Sequence, residues 1–288
     1  MTKPIQLCAQ IPDSLAGRRL DQALAELFSD YSRSRLQQWT RAGKVRIDGR
    51  LGQVKERVIG GERVEIDAEL QAEVPPAPEP IPLAILYEDD ALLVIDKPVG
   101  LVVHPAAGNR DGTLQNALLH HDPELAAVPR AGLVHRLDKD TSGVLVVART
   151  LTSHKRLVEQ LQARAFEREY EAVVSGVLTA GGRVDAPIGR HPVDRKRMAV
   201  VAGGKPSVTH YRVAERFRDH SRVTVRLETG RTHQIRVHMA SIHYPLVGDP
   251  VYGGRLRIPA GATEALAATL RAFRRQALHA ARLGLTHP

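Results

Sequence analysis

Cysteine is nearly absent: Cys8 is the single one in 288 residues, so neither a disulfide framework nor a cysteine-ligated zinc site can be built within the chain. Long apolar runs are absent as well, and none approaches the roughly 20 residues of a transmembrane helix. Met1 to Gln10 lacks the apolar centre of a secretory signal, so the cytoplasm is the expected location. Acidic residues are the minority, with Asp plus Glu at 32 against Lys plus Arg at 41, a formal net charge of +9. That imbalance favours polyanionic partners, because each phosphate neutralised by Lys or Arg releases counterions. No internal repeat is visible. What remains is ordinary for a globular protein, 43% hydrophobic and 25% charged, in a chain long enough for a large domain and a small one.

One tract is biased. Residues 72–82 read A-E-V-P-P-A-P-E-P-I-P, with five prolines in eleven positions. Proline fixes φ and removes a donor, which predicts an extended, semi-rigid linker between a head, 1–71, and a body, 83–288.

In the head, Leu20, Ala23, Leu24, Leu27 and Phe28 recur at helical spacing, and Ser32 or Ser34 is placed to cap a second helix through Leu36 and Trp39. Val45 and Ile47 alternate with charged residues and run into Asp48-Gly49, a hairpin-turn signal, and Val64 and Ile66 form a closing strand. From Arg33 to Arg57 eight basic residues, among them Arg33, Arg35 and Lys44, face only Asp48 and Glu56. By itself such a run is as often a solvated face as a binding surface.

The body mixes strands and helices without strict alternation. L-L-V-I-D at 92–96, V-L-V-V-A at 144–148, Y-E-A-V-V at 170–174 and V-T-V-R-L at 223–227 predict strands. Helices are expected at Thr113–His120, His154–Ala163, Gln234–Ser241 and within Ala262–Arg275. The class is therefore α+β, with a mixed, mainly antiparallel sheet.

Two clusters concentrate chemistry. In A-G-L-V-H-R-L-D-K-D-T-S-G-V-L-V-V-A, from Ala131, a polar loop abuts an apolar strand, so Asp138 sits where a rigid element can aim it. Asp138 and Asp140 alone are more often turn formers, and Arg136 or Lys139 could pair with them on the surface. Read as a D-x-D phosphotransfer site, the segment is in the wrong order, because the apolar strand follows the acids. The second cluster, R-L-E-T-G-R-T-H-Q-I-R-V-H from Arg226, has a tight turn at Gly230 and then a helix carrying His233, Arg236 and His238. An arginine such as Arg231 beside a carboxylate keeps the acid ionised, and its alternative role is a structural ion pair. The two histidines lie five apart, off the four-residue spacing of a helical metal pair.

R-R-L-D-Q-A-L-A-E-L-F, Y-S-R-S-R-L-Q-Q-W and G-K-V-R-I-D-G-R together resemble the S4 RNA-binding domain, which makes RNA binding the better reading of the basic run. H-R-L-D-K-D-T-S-G and L-E-T-G-R-T-H-Q-I-R-V-H-M, with R-E-Y-E-A-V-V-S-G at 168–176, P-L-V-G-D-P-V-Y-G at 245–253 and Q-A-L-H-A at 276–280, resemble the RluA family of pseudouridine synthases. So do V-V-H-P-A-A-G-N at 102–109 and P-I-G-R-H-P at 187–192. The resemblance implies an isomerase that converts uridine to pseudouridine in large-subunit (23S) ribosomal RNA, at the loop of helix 69, free or in a pre-ribosomal particle. It implies Asp138 as the catalytic carboxylate, Tyr170 as the ring stacked on the target base and Arg231 as the partner of Asp138. Leu278 and Ile235 would wall the uracil pocket, Arg136 would contact substrate, and Arg33, Arg35 and Lys44 would bind RNA. No cofactor, metal, DNA or membrane is called for, and the expected state is a monomer. Family members continue past Q-A-L-H-A with further strands, whereas this sequence stops at L-G-L-T-H-P.

Overall fold

The computed structural model describes residues 2–71, 76–105 and 109–288. Residues 72–75 of the proline tract and 106–108 of the V-V-H-P-A-A-G-N motif lie outside the described residues. The chain divides into two units, Met1–Pro75 and Pro76–Pro288.

In the first unit, β1 (Thr2–Gln10) precedes α1 (Leu20–Leu27) and α2 (Arg33–Arg41), followed by β2 (Val45–Ile47), β3 (Arg50–Leu51) and β4 (Arg63–Gln71). The strands form an antiparallel sheet in the order β1-β4-β2-β3. Ser32 is the residue that caps α2, its hydroxyl accepting the Arg35 amide. Asp48 and Gly49 both have positive φ, 47° and 80°, the requirement of the two-residue turn that matches strand twist. Leu20, Leu24, Leu36, Val45, Ile47 and Val64 are fully buried between helices and sheet. β1, in which Ile5, Leu7 and Ala9 alternate with exposed residues, pairs antiparallel with β4 over nine residues.

In the second unit the elements are β5 (Ile85–Glu88), β6 (Leu92–Lys97), α3 (Leu114–His121), β7 (Ser142–Ala148), α4 (Leu151–Gln162), β8 (Glu167–Ser175), β9 (Gly182–Asp185), β10 (Ile188–Arg190), β11 (Met198–Val200), β12 (Val208–Arg216), β13 (His220–Leu227), α5 (Gln234–Ser241), α6 (Glu264–Ala272) and β14 (Leu278–Gly284). Eight strands make one sheet in the order β5-β6-β7-β14-β8-β13-β12-β9, with β10 and β11 forming a separate hairpin. Only β7 and β14 run parallel, so the sheet is mixed and mainly antiparallel.

The run V-L-V-V-A does not alternate because both faces of β7 are covered. Leu145 and Val147 enter the main core, while Val146 and Ala148 pack under Leu157 of α4 and Phe166. Gly143 at the start of β7 has φ of 116°, and a Cβ there would lie 2.2 Å from the Ala280 carbonyl oxygen. The β7–β14 pairing therefore requires glycine.

The proline-rich reading needs narrowing at its C-terminal end. The Asn116 side chain donates to the Ala77 carbonyl at 2.7 Å, and the Glu79 carboxylate accepts the Gly112 amide at 2.9 Å. Ile81 packs on the main core. Extended proline geometry leaves carbonyls free to accept, and α3 uses them, so 76–82 belongs to the body rather than to a spacer.

Candidate active site

The loop 138–141 joins Leu137, buried in the core, to the N-terminus of β7. It is held from three directions. Lys97, at the end of β6 and fully buried, donates through Nζ to the carbonyls of Pro98 (2.6 Å), Leu101 (3.0 Å) and Lys139 (3.0 Å). Burial lowers its pKa to about 8, against the pull of Asp140, Asp138 and Asp96. From the strand β14 side, Gln276 donates to the Thr141 hydroxyl at 3.0 Å, and the Thr141 amide closes back on the Asp138 carbonyl at 3.1 Å.

The third hold comes from α5. Arg236 Nη1 donates to Asp138 Oδ2 at 3.2 Å, while its Nε and Nη2 form a fork on Asp249 at 2.7 and 2.9 Å. Asp249 is fully buried and also accepts the amides of Val251 and Tyr252 at 2.9 and 3.0 Å. Burial opposes ionisation of both members. The mutual ion pair outweighs it, holding the Arg236 pKa above and the Asp249 pKa below their ordinary values. The Arg236 guanidinium further lies over the Tyr252 ring at 5.0 Å from its centre.

The expectation for Arg231 is corrected here. Its Nε bonds the Pro206 carbonyl at 3.4 Å and its amide bonds Gln234 Oε1 at 3.0 Å, and the arginine on Asp138 is Arg236. Arg231 lies before α5, in the segment that leads into it, whereas α5 presents Arg236 inward because nearly the whole helix from Gln234 to Met239 is buried. A buried arginine needs acids beside it, which was the available signal. Gly230 serves differently from the expected turn: its φ is not positive, but a Cβ would meet Arg168 Nη1 at 2.6 Å.

Tyr170 lies on β8 opposite Val225 of β13 and Ala280 of β14. It is buried in the same cluster as Leu137, Ile235 and Leu278. Burial raises its pKa to about 12; Arg168 pulls down and Asp138 pushes up. The structure thus couples Asp138 electrostatically to Tyr170, puts Ile235 and Leu278 in the same apolar core as Tyr170, leaves Arg231 on other partners, and leaves Arg136 exposed beside the loop. His238 is a satisfied core histidine, bonded to Thr209 Oγ1 and the Ala186 carbonyl.

In the first unit, Arg33 is exposed but also bonds the fully buried Asp21 at 2.7 and 3.0 Å, alongside Arg19 and Gln37. Arg35 is half-buried and Lys44 exposed. Among the described residues no helix is long and apolar enough to cross a membrane.

Asp138 is thus a partly exposed carboxylate held by a buried guanidinium and close enough to the buried Tyr170 to raise its pKa. The RNA pseudouridylate synthase model matches residues 91–241, and the S4 domain model matches 18–64. The chain belongs to the RNA pseudouridylate synthase family and is an isomerase.

Among its relatives is the ribosomal large subunit pseudouridine synthase D of Xanthomonas campestris, 60% identical over 97% of this chain and 85% of that one. The enzymes of the same name from Escherichia coli K12 and Pseudomonas aeruginosa are 59% and 58% identical over 100% of this chain and 89% and 90% of theirs. Of solved structures, Human RNA Pseudouridylate Synthase Domain Containing 1 aligns at a TM-score of 0.53 and 26% identity, covering 70% of this chain and 78% of that one. Human RNA Pseudouridylate Synthase Domain Containing 4 aligns at 0.52 and 27%, covering 69% and 83%.

Proposed function

We propose that this chain converts uridine to pseudouridine in large-subunit ribosomal RNA, at the loop of helix 69, with Asp138 as the catalytic carboxylate. The observation that carries the reading is Asp138, fixed by Arg236 and electrostatically coupled to Tyr170, whose apolar core also holds Ile235 and Leu278. The names of the relatives supply the substrate class.

The reaction breaks the C1′–N1 bond, turns the uracil and rejoins it through C5, so it calls for no electron carrier. The target base must leave its stack to reach the pocket. Tyr170 replaces the lost stacking, worth roughly 1–3 kcal/mol per base. Ile235 and Leu278 close the sides. Asp138 then assists cleavage by attacking C1′, attacking C6, or taking a C2′ proton to give a glycal. The C5 proton leaves last. A tyrosine with its pKa pushed up to about 12 is protonated at neutral pH, which favours Asp138, directly or through water, as the acceptor.

Arg136 contacts the substrate from the rim, and Arg33, Arg35 and Lys44 give the first unit its affinity for RNA. The protein acts in the cytoplasm as a monomer. The test is to incubate the chain with a large-subunit RNA transcript and map pseudouridine by carbodiimide adducts and primer extension. Stops confined to the helix 69 loop support the full reading, stops elsewhere reassign the site, and no stops reject it.

A further inference from the structure

His233 stands between the Tyr252 hydroxyl and Asp138. Its Nδ1 is 2.8 Å from the Tyr252 hydroxyl, and its Nε2 faces Asp138 Oδ1 at 3.9 Å. One tautomer satisfies both neighbours of the ring. The Tyr252 oxygen accepts the Met198 amide at 2.9 Å, which leaves the phenol proton free to be donated to Nδ1. The neutral ring then carries its proton on Nε2, pointing at a carboxylate.

The backbone supports the same aim. His233 has φ of 57° and ψ of 21°, the left-handed region, at the residue preceding α5. Non-glycine residues held there concentrate at functional sites. The Tyr252 ring, packed edge-on to the histidine with centres 5.6 Å apart, also lies against the guanidinium groups of Arg236 (5.0 Å) and Arg197 (5.3 Å).

We propose that His233 is a positioning residue for the isomerisation: aimed by Tyr252, its Nε2–H holds Oδ1 of Asp138 while Arg236 holds Oδ2. This rests on the reading of Asp138 as the catalytic carboxylate. With one oxygen tied, a carboxylate still swings about its χ2; with both tied, its plane is set against the sugar and base. At 3.9 Å the contact is electrostatic in the free protein, and it shortens to a hydrogen bond when the target fills the cleft, as catalytic hydrogen bonds commonly do. A misplacement of about 1 Å at such a group lowers rate by as much as 100-fold.

The variants separate this role from a structural one. His233→Asn tolerates the left-handed backbone and keeps an amide at the Nδ1 position for Tyr252, but cannot reach Asp138. His233→Gln restores a donor near the Nε2 position. Tyr252→Phe leaves the ring and its cation contacts and removes the hydroxyl that His233 and the Met198 amide share. The assay is pseudouridine formation on a large-subunit RNA transcript by the full chain, with kcat and KM resolved and Asp138→Asn run alongside.

The expected result is a kcat about 10- to 100-fold lower for His233→Asn with KM unchanged, partial recovery in His233→Gln and a smaller kcat loss in Tyr252→Phe. Wild-type kcat in both His233→Asn and Tyr252→Phe, with Asp138→Asn inactive, would overturn the role of His233 and leave Asp138 standing. An active Asp138→Asn would overturn the underlying assignment itself.

Discussion

Replacing Arg236 by methionine removes three of the guanidinium's contacts at once, two on Asp249 and one on Asp138. The two acids are not equivalent. Asp249 is fully buried and Asp138 is 20% exposed, so the stability loss falls on Asp249 and the loss of order on Asp138. Asp249 keeps two backbone amides, from Val251 and Tyr252, but its charge has no counterion left. Breaking a buried pair by deleting one partner costs about 3–5 kcal/mol. At roughly 2–4 °C per kcal/mol for a unit of this size, the melting temperature should fall by about 10 °C.

Arg236→Lys keeps a cation but cannot fork onto one acid while reaching the second, so it should recover part of the stability and little of the activity. Arg231→Met, which removes a single long contact to a carbonyl, should change the melting temperature by less than about 2 °C. Calorimetry of the full chain reads the first effect and single-turnover kinetics the second. An Arg236→Met protein that melts with the wild type, beside a strongly destabilised Arg231→Met, would refute the assignment of Arg236 as the bridge.

Other consequences are as direct. Lys97 titrates near 8 in the folded chain against 10.5 when solvated, so the unfolded state holds more protons between those values and stability rises with pH across that window. Relative to Lys97→Met the wild type should gain about 2 kcal/mol between pH 8 and 10; denaturant midpoints that stay parallel across this range would contradict it. Gly143→Ala drives a Cβ into the Ala280 carbonyl and should cost about 2–4 kcal/mol, read by urea unfolding. Tyr170→Phe keeps the stacking face, so RNA affinity should hold within about two-fold by filter binding, where a ten-fold loss would mean the hydroxyl binds substrate. Lys44→Ala should weaken RNA binding and reduce the salt slope by about 1, whereas Arg33→Ala should also lower stability because it uncovers Asp21.

Much of this architecture is legible in local sequence. Asp48-Gly49, the Ser32 cap and the doubly covered run at 144–148 each follow from chemistry confined to a few residues. What is not legible depends on distant partners. β14 sits in the middle of the sheet although it is last in the chain, because Gly143 admits the Ala280 backbone beside β7. Arg236 rather than Arg231 meets Asp138, since only the helix's buried face reaches both acids. Lys97 looks like any strand-end lysine until three carbonyls from two loops converge on it.

The role of Asp138 in uridine isomerisation is tested by tritium release from a large-subunit RNA transcript labelled at uridine C5. The wild-type chain should release one tritium per pseudouridine formed, and Asp138→Asn, folded and RNA-binding, should release none. Equal release by both proteins would contradict the account.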